Sequence, residues 1–557
     1  MKFFDSLVLP CVIGMALGIS GCGGGRSTEV AAPPSASAGQ VAAINTSAQV
    51  GHYAASRFAE QASFGPTPAL VAEIRQKGYE KWIDDQFALP ASLINPAPYL
   101  GFVDPVPEAD RRAFQAEFPT IAIAAPDQLR SRVTWALSQF VVISDRKGDL
   151  VGALYWINFL QQSALGGYGD LLYNMSLNPT MAQYLDNNQN RPKSAECPHC
   201  APNENFAREI MQLFSLGVFK LNADGTPVRD NTGGFVETYS QRDVEELARV
   251  FTGWAHSNDP PNRPVRNWAN WAKPMVPSTW PPERDSGAKT VLGRTFTSGQ
   301  TQDKDMRDAI SMLMDHPNIA PFVATRMIQH LVKSNPTPQY VGRVAAKFRN
   351  NGQGMAGDMK AVVKAILLDS EARAGDNLAT SRNDDGKFRE PFLHQTAGWR
   401  GIGCNRVPAN NWGPILPQGQ RPFNAESVFS YYAPTDRAPG SNLLAPEQKL
   451  VNASELTGRL NLVNGTRWDH LAQQNNLKVL TNAGCGIDAV VRAYSASPRA
   501  FNDLLSERFF RGAMPPTLRS NVEQLIKQPQ WDTKDPAEGT LRMLDYALTS
   551  PYYGVIK

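Results

Sequence analysis

Apolar residues recur at helical spacing along most of the chain from His52 onward. Thr67-Pro68 opens a segment in which Leu70, Val71, Ile74, Tyr79, Trp82, Ile83 and Phe87 mostly keep a three-to-four-residue period, interrupted at Gly78. The same period predicts helices over 129–143, 150–165, 168–185, 203–216, 240–254, 304–314, 319–333, 338–348 and 359–368. Near the C-terminus it predicts helices over 487–494, 498–510, 516–527 and 538–548. Strand alternation is confined to short pieces such as 290–296. The pattern predicts a mainly α protein, one large helical domain with long irregular loops and few short strands. Two stretches lack periodicity and read as those loops: 257–289, crowded with Pro and with Trp268, Trp271 and Trp280, and 376–428.

The N-terminus follows different rules. Leu7 to Ile19 is apolar over the length of a signal peptide, too short to span a bilayer as a helix, and Lys2 provides a positive start. It ends Ile19-Ser20-Gly21-Cys22, which resembles the lipobox of bacterial lipoproteins, with Cys22 as the acylated residue. Residues 1–21 are thus expected to be a lipoprotein signal peptide. Residues 22–50, rich in Gly, Ser, Ala and Pro, are expected to be a flexible tether, and 51–557 the single large domain. Gly23 stands where lipoproteins retained at the inner membrane usually carry Asp, so the resemblance implies an outer-membrane lipoprotein of the cell envelope. No later run of 18 apolar residues occurs, which leaves lipid as the membrane anchor.

Composition narrows the class. Over 557 residues only 19% are charged and the formal net charge is +3, so no basic excess points to nucleic acid. HExxH, GxSxG and Walker motifs are absent, and no cofactor or metal is predicted. Gly352-Gln-Gly-Met-Ala-Gly357 spells GxGxxG but follows a helix instead of a strand, and reads as an interhelix loop. Asp186–Asn190 and the stretch around Asn222–Gly225 each break the EF-hand pattern.

Two adjacent segments are the most distinctive. In Asn203-Glu-Asn-Phe-Ala-Arg-Glu-Ile-Met-Gln-Leu-Phe-Ser-Leu-Gly217, Asn203 can cap a helix and Gly217 can end it; Phe206, Ile210, Leu213 and Phe214 share its apolar face. Asn205, Arg208, Glu209 and Gln212 share the opposite face. Tyr239-Ser-Gln-Arg-Asp243 begins a second helix with Ser240 and Asp243 placed as a capping box, and runs into Thr252-Gly253-Trp254.

These motifs resemble the bacterial family called domain of unknown function 1800. Its pattern is similar to N-E-N-[FY]-A-R-E-[LI]-x-E-L-x-[ST]-L-G followed by Y-[ST]-x-x-D-V-x-E-L-A-R-x-[LF]-T-G-W. The chain departs at Gln212, where the family commonly has Glu, and inserts residues between Gly217 and Tyr239. Further similar blocks include Ala62–Pro68, Trp135–Phe140, His316–Arg326, Gly357–Asp369, Arg389-Glu-Pro391, Ser427–Tyr431 and Ala445-Pro-Glu447, so the resemblance spans roughly 52–557. It implies no established activity. Members lie beside proteins of domain of unknown function 1501, which resemble the alkaline phosphatase/sulfatase fold, and this implies a protein partner of that kind by analogy.

Asn205, Arg208, Glu209, Tyr239, Asp243, Arg249 and His316 form the candidate functional cluster. Carboxylates beside arginines on adjoining helices can hold a substrate or do acid–base work, but a structural network knitting the helices is the favoured reading. Cys197, Cys200, Cys404 and Cys485 remain beyond the lipobox. In an oxidising envelope they favour two disulfides, and of three connectivities 197–200 with 404–485 is preferred. Three functions therefore compete. The first is a lipid-anchored scaffold or binding partner of a secreted phosphatase/sulfatase-like protein. The second is a hydrolase-type envelope enzyme using the Asn205–Arg249 polar cluster on the two adjacent helices, glycans being one substrate class, with the Trp-rich 254–280 segment as a wall. The third is a thiol-redox protein using the Cys197-Pro-His-Cys200 pair.

Overall fold

In a computed structural model of the protein, the described residues are 49–557 without 101–105, 148, 258–269, 382–384, 411–412, 418, 465–477 and 529–534. The expected signal peptide, Cys22, nearly all of the expected tether and Trp268 lie outside them. The protein is mainly α, and one local grammar builds many of its helices. An oxygen-bearing side chain precedes a proline and accepts a free backbone N–H of the first turn. Thr67 does so before Pro68–Lys77, Thr337 before Pro338–Arg349, Ser497 before Pro498–Phe509 and Asp535 before Pro536–Leu548. Gly78, at φ 77°, ends one helix and starts Tyr79–Ala88.

The periodic segments from 129 to 368 are helical with ends displaced by a few residues. One prediction divides: 168–185 is two helices, Tyr168–Ser176 and Pro179–Tyr184. Pro179 cannot donate to the first helix, and Asn178 caps the second. A larger correction concerns 376–428, expected to be irregular throughout. It contains the helix Pro391–Ile402, every one of whose twelve residues is buried. A helix enclosed on all sides has no polar stripe, so hydrophobic periodicity cannot reveal it.

Strands among the described residues form two-stranded antiparallel pairs. Lys289–Val291 and Arg294–Phe296 make a hairpin whose two turn residues, Leu292 and Gly293, both have positive φ, the geometry that matches strand twist. Lys387–Phe388 pairs with Val555–Ile556 and brings the chain's end back to its middle. The inserted segment between Gly217 and Tyr239 folds back on itself through single bridges, Phe219 with Glu237 and Arg229 with Phe235.

From Gln49 to Lys557 the chain packs as one compact unit around two apolar clusters. The larger draws mainly on helices between His52 and Leu368; the smaller draws mainly on helices between Ile487 and Leu548. The Pro391–Ile402 helix is their party wall: Phe392 and Leu393 join the first, Trp399 and Ile402 the second. The disulfide Cys404–Cys485, spanning 81 residues, fastens the end of that helix to the second cluster. Among the described residues no helix is long and apolar enough to cross a membrane.

A buried carboxylate ties distant segments together. Glu60, on the first helix His52–Ala62, accepts from Arg389 at 2.6 Å and from Arg511 at 2.9 Å. Glu60 and Arg389 are almost wholly buried, and Arg389 also lies 4.2 Å from the centre of the Tyr553 ring. Replacing Glu60 with Gln leaves two enclosed guanidiniums without a counter-charge. The expected loss is about 3–5 kcal/mol of unfolding free energy, measured by denaturant titration.

Candidate functional site

The two motif helices are Asn205–Gln212 and Gln241–Val250. Their apolar sides pack together, with the Phe206 and Phe251 rings edge to face at 5.1 Å. The first is shorter than predicted: Glu204 occupies the cap position, while Asn203 still accepts from the Asn205 N–H at 2.9 Å. Gly217, at φ 77°, closes its far end by donating to the Met211 carbonyl.

The polar face is mostly committed to fastening. Arg208 donates to Glu204 at 2.7 Å and to Gln241 at 3.1 Å, and Gln241 donates to Glu204 at 2.8 Å, so the two helices are laced at the surface. Asn205 donates to Asp186 at 2.9 Å. Asp243 completes the expected capping box with Ser240, and its other oxygen accepts from the Leu292 N–H at 2.7 Å, docking the hairpin turn on the helix start. Burial alone would raise the Asp243 carboxyl, but these hydrogen bonds hold it below its usual range. Arg249 grips Asp285 through two nitrogens, at 2.7 and 3.2 Å, and Glu246 at 2.8 Å.

His316 stands apart. It closes the Gln302–Asp315 helix, and its Nδ1 accepts from the Asn318 N–H at 3.1 Å. Among the described residues no hydrogen bond or ion pair joins it to Glu209 or Asp243.

Glu209 is the exception within the cluster. Its Oε2 is buried without a hydrogen-bond partner. Burial pushes its carboxyl up to about 7, with Arg208 opposing. The nearby phenols of Tyr184 and Tyr239 are pushed up to about 12, by burial first and then by the Glu209 charge. Tyr239 in turn donates to the Gln212 side chain at 3.5 Å. Glu209 therefore carries a side chain able to exchange a proton near neutrality.

Two concavities occur among the described residues. A groove of about 500 Å³ is lined by Tyr155, Phe159 and Trp271 together with Gln162 and Asn174. Trp271 reaches it because Gly152 has no side chain; a Cβ there would come within 2.9 Å of the indole. Trp280 lies elsewhere, with Arg191 5.8 Å from its ring centre, and Trp254 is buried. A smaller cavity is lined by Gln212, Arg326, His330 and Tyr432 among apolar walls. Sequence reasoning passed over Arg326 and His330. Their signal was a cation and an imidazole one turn apart in the otherwise largely apolar helix Ile319–Leu331.

Both cysteine pairs are at disulfide distance, Cys197 with Cys200 and Cys404 with Cys485. The Asn205–Gln212 helix opens beyond the first pair, so neither of its sulfurs sits at that helix start. Gly352–Gly357 is a loop between the Pro338–Arg349 and Met359–Leu368 helices. Among the described residues no three His, Cys, Asp or Glu side chains are grouped to hold a metal ion.

Helices around two apolar clusters, laced by polar motif residues, carrying a carboxyl poised near neutrality and lined by concavities, define a large mainly α protein. The chain matches, over residues 57–555, the family described as "Protein of unknown function (DUF1800)", and it belongs to that family. No curated protein and no solved structure matches it.

The Glu209 carboxyl makes stability depend on pH. Unfolded, it titrates near its ordinary 4.5; folded, near 7. Between those values the folded chain holds a proton that the unfolded chain has released, so the contribution of Glu209 to stability falls as pH rises. Glu209→Gln is expected to remove this slope, bringing the melting temperature at pH 8 closer to that at pH 5 than in the wild type. Thermal melts at the two pH values check it.

Proposed function

We propose that the protein is a scaffold or binding partner held on the cell envelope by a lipid at Cys22, at the outer membrane, and that it receives a secreted phosphatase/sulfatase-like protein. The observation that carries this reading is the inserted segment after Gly217. There the tilted rings of Phe219 and Phe235 lie 5.1 Å apart, centre to centre, while remaining 40% and 45% exposed, beside Val218 at 41%. Grouped exposed aromatic and aliphatic side chains are the usual anchors of protein interfaces. Commitment of most motif polar groups to capping and ion pairs supports a rigid presenting body over a catalytic centre.

Two substitutions separate anchoring from recognition. Cys22→Ser is expected to move the protein from the membrane fraction to the aqueous fraction. The double variant Phe219→Ser/Phe235→Ser is expected to stay with the membrane yet lose the partner. A pull-down from solubilised envelope that never recovers a phosphatase/sulfatase-like protein with the wild type refutes the partner assignment.

The glycan-acting alternative rests on the groove. Tyr155, Phe159 and Trp271 offer aromatic faces and Gln162 and Asn174 offer amides, the mixture that suits sugar rings and their hydroxyls. Neutral oligosaccharides are then expected to quench tryptophan fluorescence in the wild type and not in Trp271→Ala. Equal quenching in both removes this reading.

A further inference from the structure

The smaller cavity forms where three helices meet the chain around Val428–Pro434. Arg326 and His330 face it from Ile319–Leu331, Gln212 from the end of the motif helix, and Phe140 from just beyond Gln128–Ser138. Phe322 and Phe429 complete its apolar wall. Its volume of about 40 Å³ accommodates a few water molecules or one small planar group.

The charges around it do not balance locally. Among the described residues, the Arg326 guanidinium donates only to the Gln329 side chain at 3.1 Å, on its own helix, and lies 5.3 Å from the Phe322 ring. No carboxylate pairs with it, and burial pulls it down to about 10. His330 is 7% exposed, and its Nδ1 is buried with no hydrogen-bond partner. Burial, followed by the charges of Lys387, Arg326 and Arg132, keeps this imidazole neutral.

The nearby acids are already engaged. Glu390 accepts from Trp135, Gln420 and Tyr432, and Glu447 pairs with Lys387 at 2.9 Å. Gln212 has its oxygen turned to the Tyr239 hydroxyl, and among the described residues its amide hydrogens have no partner. A half-buried guanidinium without a counter-ion, lining the same cavity as an amide with free hydrogens, offers donors to an oxyanion.

We propose that this cavity binds a carboxylate. Arg326 supplies the opposing charge, the Gln212 amide supplies a further donor, and the neutral His330 completes the polar side. Phe322 and Phe429 cover the ligand's apolar neighbour. The carboxylate can belong to a small organic acid or to the terminus or acidic side chain of a polypeptide. This proposal does not involve the Phe219–Phe235 surface, so the two can fail separately.

The test is the melting temperature of the full chain in sodium acetate against sodium chloride at equal ionic strength. Acetate is expected to raise it saturably in the wild type. Arg326→Gln is expected to lose that response, weakening acetate binding roughly tenfold to a hundredfold, and to melt higher than the wild type in chloride because an unpaired charge is gone. Gln212→Glu places a carboxylate inside the cavity and is expected to abolish the response while leaving Arg326 in place. Equal melts of the wild type in the two salts, or an undiminished acetate response in either variant, overturn the proposal. A short peptide with a free terminal carboxylate, compared with its amidated form, assigns the source. Binding of the free form at least tenfold tighter than acetate identifies a polypeptide ligand, and acetate binding alone identifies a small acid.

Discussion

One enclosed carboxylate, Glu60, answers two guanidiniums from segments far away in sequence, Arg389 and Arg511. Charges buried to this degree are tolerated only together, since each alone would carry its full desolvation cost. The arrangement of the rest depends on that obligation. With Arg389 fixed, the next residue, Glu390, is placed to accept from Trp135, Gln420 and Tyr432. Pro391 then starts the fully buried helix that separates the two apolar clusters. The backbone of Arg389 also takes a 2.7 Å bond to Gly554, and the last strand pairs alongside. The first helix, the party wall and the chain's end are thereby held by one polar knot.

The same economy explains the motif helices. Side chains that look like an acid–base set in the sequence serve as hooks between elements: Arg208 to Gln241, Asp243 to the Leu292 turn, Arg249 to Asp285. The Asp243 hook satisfies two backbone donors, the Ser240 and Leu292 N–H groups, while the other two join side chain to side chain. Glu209 escapes because it sits on the inward turn of its helix, near Tyr184 and Tyr239, where no basic side chain reaches its Oε2.

Much of the helical architecture was legible in the order of residues. Pro68, Pro338 and Pro498, each after an oxygen-bearing cap, announce helix starts, because those choices are decided within a few bonds; the 290–296 piece, expected to be a strand, is instead a hairpin that turns at Leu292-Gly293. The resemblance carried by the two motif segments, and the pairing of the four cysteines, were legible as well. Less so was the Pro391–Ile402 helix, since burial on every side erases the alternation on which pattern reading depends.

By itself, then, the sequence determined the local geometry: where helices begin, where they stop, and which of their faces turn inward. Only the tertiary structure decided which polar side chains would be consumed as fasteners and which left unpaired. Glu60 meets Arg511 across 451 positions, whereas among the described residues no segment folding around Arg326 brings it an acid. Whether a charge is satisfied is a property of its neighbours in space, and those neighbours come from segments whose spacing along the chain carries no signal.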